Sequence, residues 1–338
     1  MKHLLFIFSF AALVLVGCTQ IENVYTGSDA AREIAFQTIT TPQTRAAVDG
    51  TDFPTTLDMM VTAYQVTPTA AVYFDATIFK YQYAGSASNA TVNASYWGGE
   101  TARYWPLSPA HINFLAIANA NADNAAGVTW GTNKADQVTI VMADNHEAQR
   151  DLMYAIGNGA VTQSGNTLTF PPKVDMEFYH AQAWIDFKVQ AKTTTETAIT
   201  VNSITLKGAK YNGTYTVTHT AYNASTGQSV AGAWTALGSA QDIAVPGWSP
   251  AALTTDFVTV GNGLMIVPDD TSADDFTSFT IAYSFDGKDY TYTYTPASKS
   301  VDQKKHYIYE ITFQLHEIFI NPSVEDWSDQ SATAITIQ

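Results

Sequence analysis

The sequence predicts an all-β protein built as two β-sandwich domains. Three observations predict it. Alternation of apolar and polar residues at period two dominates from about residue 33 onward, the signature of half-buried strands. Gly, Asn, Asp and Pro interrupt that alternation at short intervals, as the turns of a sandwich require. The chain has 338 residues and 46% apolar content, too long for one sandwich and apolar enough to fill two cores.

The elements follow in chain order. "MKHLLFIFSFAALVLVGC" opens with Lys2 and an apolar run from Leu4 to Val16, too short to span a membrane comfortably and read as a signal peptide over 1–17. The run ends in Leu15-Val16-Gly17-Cys18, which resembles the bacterial lipobox. Cys18 is the sole cysteine, so no intrachain disulfide forms, and it is the expected lipidation site. Several acyl chains on one residue anchor a protein firmly to a membrane. Residues 19–32 are small and polar, a tether.

"EIAFQTI" follows as a short strand with Ile34 and Phe36 on one face. Directly after it, "TPQTRAAVDG" places Arg45-Ala46 in a Pro/Thr-rich loop of the kind proteases enter. Residues 18–45 thus read as a tether and a removable strand. Arg32 is a rival cleavage point, but a cut there leaves the strand in place.

"HINFLAIANA" is apolar on both faces in its middle and predicts a strand buried on both sides. "DNHEAQRDLM", from Asp144, predicts a short helix. Pro171-Pro172 places a boundary between domains at 46–172 and 173–322, because a proline pair does not continue a central strand. In "AWIDFKVQ", Ile185, Phe187 and Val189 face a core, with Asp186 and Lys188 opposite. "TIAYSFDGKDYTYTYTP" predicts a hairpin turning at Asp286-Gly287. "HYIYEITFQL" alternates strongly, and Asn321-Pro322 is expected to stop the strand after it.

The last segment, 323–338, offers Val324 and Trp327, then polar "SDQS", then "ATAITIQ" with Ile335 and Ile337 on one face. Apolar anchors beyond a polar hinge suit a strand donated to another molecule. A last edge strand of the chain's own sandwich is the competing reading.

Composition bounds the function classes. With 31 Asp+Glu against 16 Lys+Arg, the net charge of −15 argues against nucleic acid, whose phosphates need a basic face. His316-Glu317 and His146-Glu147 lack the second histidine of a zincin. Asp269-Asp270 and Asp274-Asp275 lack EF-hand spacing and read as a solvated loop. Gly261-Asn262-Gly263 is followed by no lysine or helix start, so it is a turn. No local motif points to catalysis, a metal or a cofactor. The 18 Tyr and 7 Trp read first as core residues and cross-strand pairs, with a glycan platform as the alternative.

Taken together and in order, the lipobox at Cys18, "EIAFQT" with "TRAAV", "ARYWPLSPAHINFLAIA", "DLMYA", "FYHAQAWIDFKV", "GLMIVPD" and "SVEDWSDQSATAITIQ" resemble the fimbrillins, the type V pilins. The resemblance implies transthyretin-like strand organisation in both domains and no enzyme activity. It implies a subunit of a cell-surface fimbria, exported as a lipidated outer-membrane precursor. A protease cut after Arg45 would remove the strand holding Ile34 and Phe36. A strand of another copy or a related pilin, here Val324, Trp327, Ile335 and Ile337, would fill the vacated groove. A surface lipoprotein or tip adhesin that binds a glycan or protein receptor is the alternative, and shaft, tip and anchor roles stay open.

Overall fold

The computed structural model describes residues 32–39, 57–82, 96–118, 128–131, 134–142, 150–223, 227–269, 271–314 and 317–326. Within these the chain is a succession of strands. The first half contains β1 (Ala35–Ile39), β2 (Met59–Thr67), β3 (Ala71–Gln82), β4 (Tyr96–Gly99), β5 (Ala110–Ala118), β6 (Val128–Gly131), β7 (Lys134–Val141), β8 (Met153–Ser164), β9 (Thr167–Thr169) and β10 (Val174–His180). The second contains β11 (Ala183–Ala191), β12 (Thr200–Ala209), β13 (Thr214–Asn223), β14 (Gly227–Thr235), β15 (Gln241–Ala244), β16 (Ala251–Ala252), β17 (Val258–Thr259), β18 (Leu264–Ile266), β19 (Ser278–Phe285), β20 (Lys288–Tyr294), β21 (Lys305–Gln314) and β22 (Glu317–Asp326). Among the described residues the helical content is a single 3-10 turn at Glu196–Ala198.

The first lobe is a closed ring. Its sheet runs β10-β1-β4-β3-β2-β5-β8-β9, and β10 also pairs with β8. With β9 hanging off β8, the other seven of these eight strands close on themselves. Alternation sorts their side chains. Met59, Val61 and Ala63 of β2 and Ile112, Phe114 and Ala116 of β5 fill the interior. Met60, Leu115 and Ile117 point outward and are buried by a second sheet, β14-β13-β7-β6, through Val138, Ile140, Tyr215 and Val217. Burial from both sides explains why β5 is apolar on both faces, as its sequence predicts.

That covering sheet crosses the halves of the sequence. β6 and β7 come from the first half, whereas β13 and β14 come from the second, joined by β13–β7 pairs from Thr214↔Val141 to Thr218↔Gln137. The hairpin is fastened further by Trp234 Nε1–H donating to the Ala181 carbonyl at 2.6 Å and Tyr215 O–H donating to Gln303 at 2.6 Å.

The second lobe is an open sandwich. One sheet runs β17-β11-β21-β22, with β18 also on β11. The other runs β15-β12-β19-β20, with β16 on β12. Ile185, Phe187 and Val189 meet Ile204, Leu206, Phe279 and Ile281 between them, with Tyr309, Ile311 and Phe313 of β21. The Asp286-Gly287 turn has φ of 50° and 67°, the double left-handed conformation that this dipeptide favours in a two-residue hairpin.

Three expectations need correction. The lobes do not part at Pro171-Pro172. β10 lies beyond those prolines yet pairs with β1 and β8 of the ring, so the turn to the second lobe falls at Ala181-Gln182, and the β13–β14 hairpin returns across it. Neither 46–172 nor 173–322 is therefore a self-contained unit. Asn321-Pro322 does not stop a strand, because β22 runs through it, with Pro322 opposite Tyr309. β22 is an edge strand, where a missing N–H is tolerated. Asp186, opposite the core face of β11, is itself buried, against His306 Nε2 at 3.1 Å. The loop expected to be solvated also buries Asp269 and Asp275. Asp275 accepts from the Asp269 and Val301 amides, fastening the loop from inside. The helix expected from Asp144 lies largely outside the described residues; Met153 at its end begins β8.

Candidate functional site: the slot held by β1

β1 lies inside the ring, paired on both sides. Along one flank it runs parallel to β10, from Phe36↔Val174 to Ile39↔Glu177. Along the other it is antiparallel to β4 at Ala35↔Gly98 and Phe36↔Trp97. Pairing extends outward before β1, where the Ile34 amide donates to the Arg103 carbonyl at 2.6 Å and the Trp105 amide to the Arg32 carbonyl at 2.9 Å. Gln37, on the exposed face, donates to the Asp175 carboxylate. Removing β1 would leave backbone groups of β10 and β4 unpaired, because no other described strand separates them.

Two side chains anchor the strand. Ile34 and Phe36 are both fully buried in the ring interior, on one face as the sequence predicts. The Phe36 ring sits in an aromatic cage. It meets Phe79 edge-on at 4.7 Å and Phe114 edge-on at 5.1 Å. Phe74 packs behind both at 6.0 and 6.2 Å, and Trp105 closes on Phe114 at 5.8 Å. Such edge-to-face pairs add about 0.5–1.5 kcal/mol each beyond burial. The cage wall needs a glycine at one point: a Cβ on Gly159 would sit 2.4 Å from the Trp105 ring. Arg103 braces the outside, donating to Thr77 Oγ1 from Nε at 3.2 Å and from its terminal nitrogen at 3.0 Å, its guanidinium 5.4 Å from the Phe74 ring.

The other predicted site residues separate into two groups. Cys18, Arg45, Ala46, Trp327, Ile335 and Ile337 lie outside the described residues. Val324 is described, and its place overturns its assignment to the donated segment. It stands opposite Tyr307 in β22, within the chain's own second lobe. The cage of Phe74, Phe79, Trp105 and Phe114 escapes sequence reasoning, because three separate stretches supply it. Its one local signal is Gly157-x-Gly159, small residues in an otherwise apolar strand, which mark close approach by a neighbour.

Titratable pairs lie elsewhere. His180 Nδ1 meets Asp151 at 2.8 Å, and His306, stacked on Trp184 at 3.8 Å, meets Asp186. Both pairs are buried near the turn between the lobes, where Lys304 lies over the Tyr179 ring at 4.2 Å and donates its amide to the Gln182 carbonyl. This is a cemented joint. Among the described residues no group of three His, Cys, Asp or Glu could hold a metal ion.

Comparison with known proteins agrees with the architecture. A protein of Bacteroides ovatus assigned to cell adhesion superposes with a TM-score of 0.51 at 13% identity, covering 89% of this chain and all of that one (100%). A fimbrial protein of Bacteroides vulgatus gives 0.50 at 15%, covering 88% and 99%. A cell-adhesion candidate of Bacteroides uniformis gives 0.50 at 18%, covering 87% and 99%. At these identities the likeness is one of fold. No curated protein matches the sequence. The family profile described as fimbrillin-like matches residues 44–327, both lobes from just after β1 to just after β22. A match of that extent makes this chain a member of the fimbrillin-like family.

Proposed function

We propose that the chain is a structural subunit of a cell-surface fimbria whose assembly is switched on by removal of β1. The observation that carries this reading is the closed ring: β1 is the strand that joins β10 to β4. While it is present the described strands of the ring are paired on both sides except the three-residue β9, and the subunit stays single. Once it is gone, two edges and an apolar interior form a template for one strand of fixed direction, parallel to β10 and antiparallel to β4.

Arg45 supplies the means. It lies six positions beyond the end of β1 in the sequence, so a cut between Arg45 and Ala46 severs that strand from the body and leaves the other strands of the ring intact. Cys18 precedes β1, so the same cut parts the body from its lipid. The precursor is thereby an outer-membrane lipoprotein and the processed form belongs to the fimbrium. The strand that refills the slot comes from another copy or a related pilin. On this chain the segment beyond β22, with Ile335 and Ile337, is the donor, while Val324 is committed to the subunit's own sheet. The chain is no enzyme in this reading.

Purified precursor treated with an arginine-specific protease tests it. Amino-terminal sequencing should find Ala46, mass spectrometry should find the β1 peptide released, and filaments should appear by electron microscopy. Arg45→Ala should stay monomeric under the same treatment. Filaments from Arg45→Ala at the unmodified rate would refute the switch.

A further inference from the structure

We infer that the Phe36 cage is a specificity pocket, and that the slot is built for a donor strand from a different subunit, one carrying an aliphatic residue and an aromatic two positions later. The inference rests on the slot reading above and goes beyond it, because it names which strand fits.

The slot was shaped around β1, and β1 presents Ile34 and Phe36. The first anchor is aliphatic. The second is a ring held edge-on by Phe79 and Phe114, with Phe74 and Trp105 behind. That wall is pinned. Phe79 and Phe114 belong to strands hydrogen-bonded on both sides, and Trp105 fits only because Gly159 leaves room. A pinned wall does not collapse around a smaller occupant, so an undersized second anchor leaves a void and forfeits the edge-to-face contacts.

The chain's own tail does not meet the requirement in any register. Setting Ile335 and Ile337 in the places of Ile34 and Phe36 matches the alternation but puts an aliphatic residue in the aromatic cage. The single aromatic of 323–338 is Trp327. Placing it in the cage puts Glu325 in the Ile34 position and Asp329 one step beyond, two carboxylates on the strand face that points into an apolar interior. The tail is therefore an admissible but underfilling occupant. A related subunit with a strand of the form aliphatic-x-Phe fills the pocket and outcompetes it. The slot is thus a selector of what stands next to this subunit.

Exchange measurements test the inference. Precursor is cut after Arg45, loss of β1 is verified by mass spectrometry, and fluorescein-labelled peptides are titrated against the body by polarisation. The peptides are ATAITIQ, its Ile337→Phe form, its Ile335→Phe form, and EIAFQTI as reference. The Ile337→Phe peptide should bind at least about tenfold tighter than ATAITIQ and approach the reference. The Ile335→Phe peptide should gain nothing, since its ring falls in the aliphatic position. A Phe114→Leu body should lose most of the preference while still taking up ATAITIQ. Equal affinity of the Ile337→Phe peptide and ATAITIQ would overturn the pocket and leave the slot standing. Uptake of none of the four would overturn both.

Discussion

The two lobes solve the edge problem in opposite ways. The first closes seven strands into a ring and leaves one strand, β1, on which closure depends. The second stays an open sandwich and blunts its edges permanently. Its margins include β16 and β17, two residues each. β20 begins with Lys288 and Asp289, and β22 carries Pro322 and ends in Glu325-Asp326. Short, charged or proline-bearing edges resist pairing with other chains. The division fits the switch proposed above: one lobe whose edge removal of β1 would uncover, and one lobe whose described edges are blunted.

The largest effect that separates the lobes should come from their exposed and hidden aromatics. Phe36→Ala removes the fully buried anchor of the ring and should cost the full chain about 3–5 kcal/mol in urea denaturation. Phe319→Ala, on β22 with half its surface exposed (51%), should change stability by less than about 0.5 kcal/mol. Comparable losses from the two would mean that β1 does not hold the ring shut.

A smaller effect should follow at the second lobe's margin. Pro322→Thr restores an N–H to the edge of β22. Its stability should be nearly unchanged, but light scattering should show more concentration-dependent association than for the unmodified chain. An unchanged scattering profile would show that Pro322 is not what guards that edge.

The smallest effect concerns pH. Lys210 donates to the Asp269 carboxylate and Thr271 adds a hydrogen bond, which together hold that carboxyl down at about 2. A folded-state value below the unfolded one means stability that is present above about pH 4 and lost as pH falls through about 2. Asp269→Asn should therefore shrink the drop in Tm between pH 4 and pH 2. The full drop surviving in Asp269→Asn would assign the acid sensitivity elsewhere.

What could be read from the sequence depended on how local its cause was. The Asp286-Gly287 hairpin is set by two residues and is visible as such. The shared face of Ile34 and Phe36 follows from period two alone. The break between lobes was legible in a subtler sign than Pro171-Pro172. Val174, Met176 and Phe178 bury even-numbered positions, whereas Ile185, Phe187 and Val189 bury odd-numbered ones. That change of parity across Ala181-Gln182 is where one strand becomes two. The crossing of β13 to β7 and the aromatic cage depend on partners distant in sequence, and no single stretch encodes them. Asp186 and Asp275 look like surface carboxylates until their buried partners, His306 and the Val301 amide, are placed beside them.

The hairpin that crosses between the halves has a mechanical consequence. Two lobes joined only by the chain at Ala181-Gln182 would separate under a pull as beads on a string do. Here β13 is laced to β7 by consecutive pairs from Thr214↔Val141 to Thr218↔Gln137, so parting the lobes must also break those bonds. Trp234, Tyr215 and Gln303 bolt the same hairpin to the joint itself. Under tension the subunit should thus yield as one stiff link with a single high breaking force, and not as two domains that give way in turn.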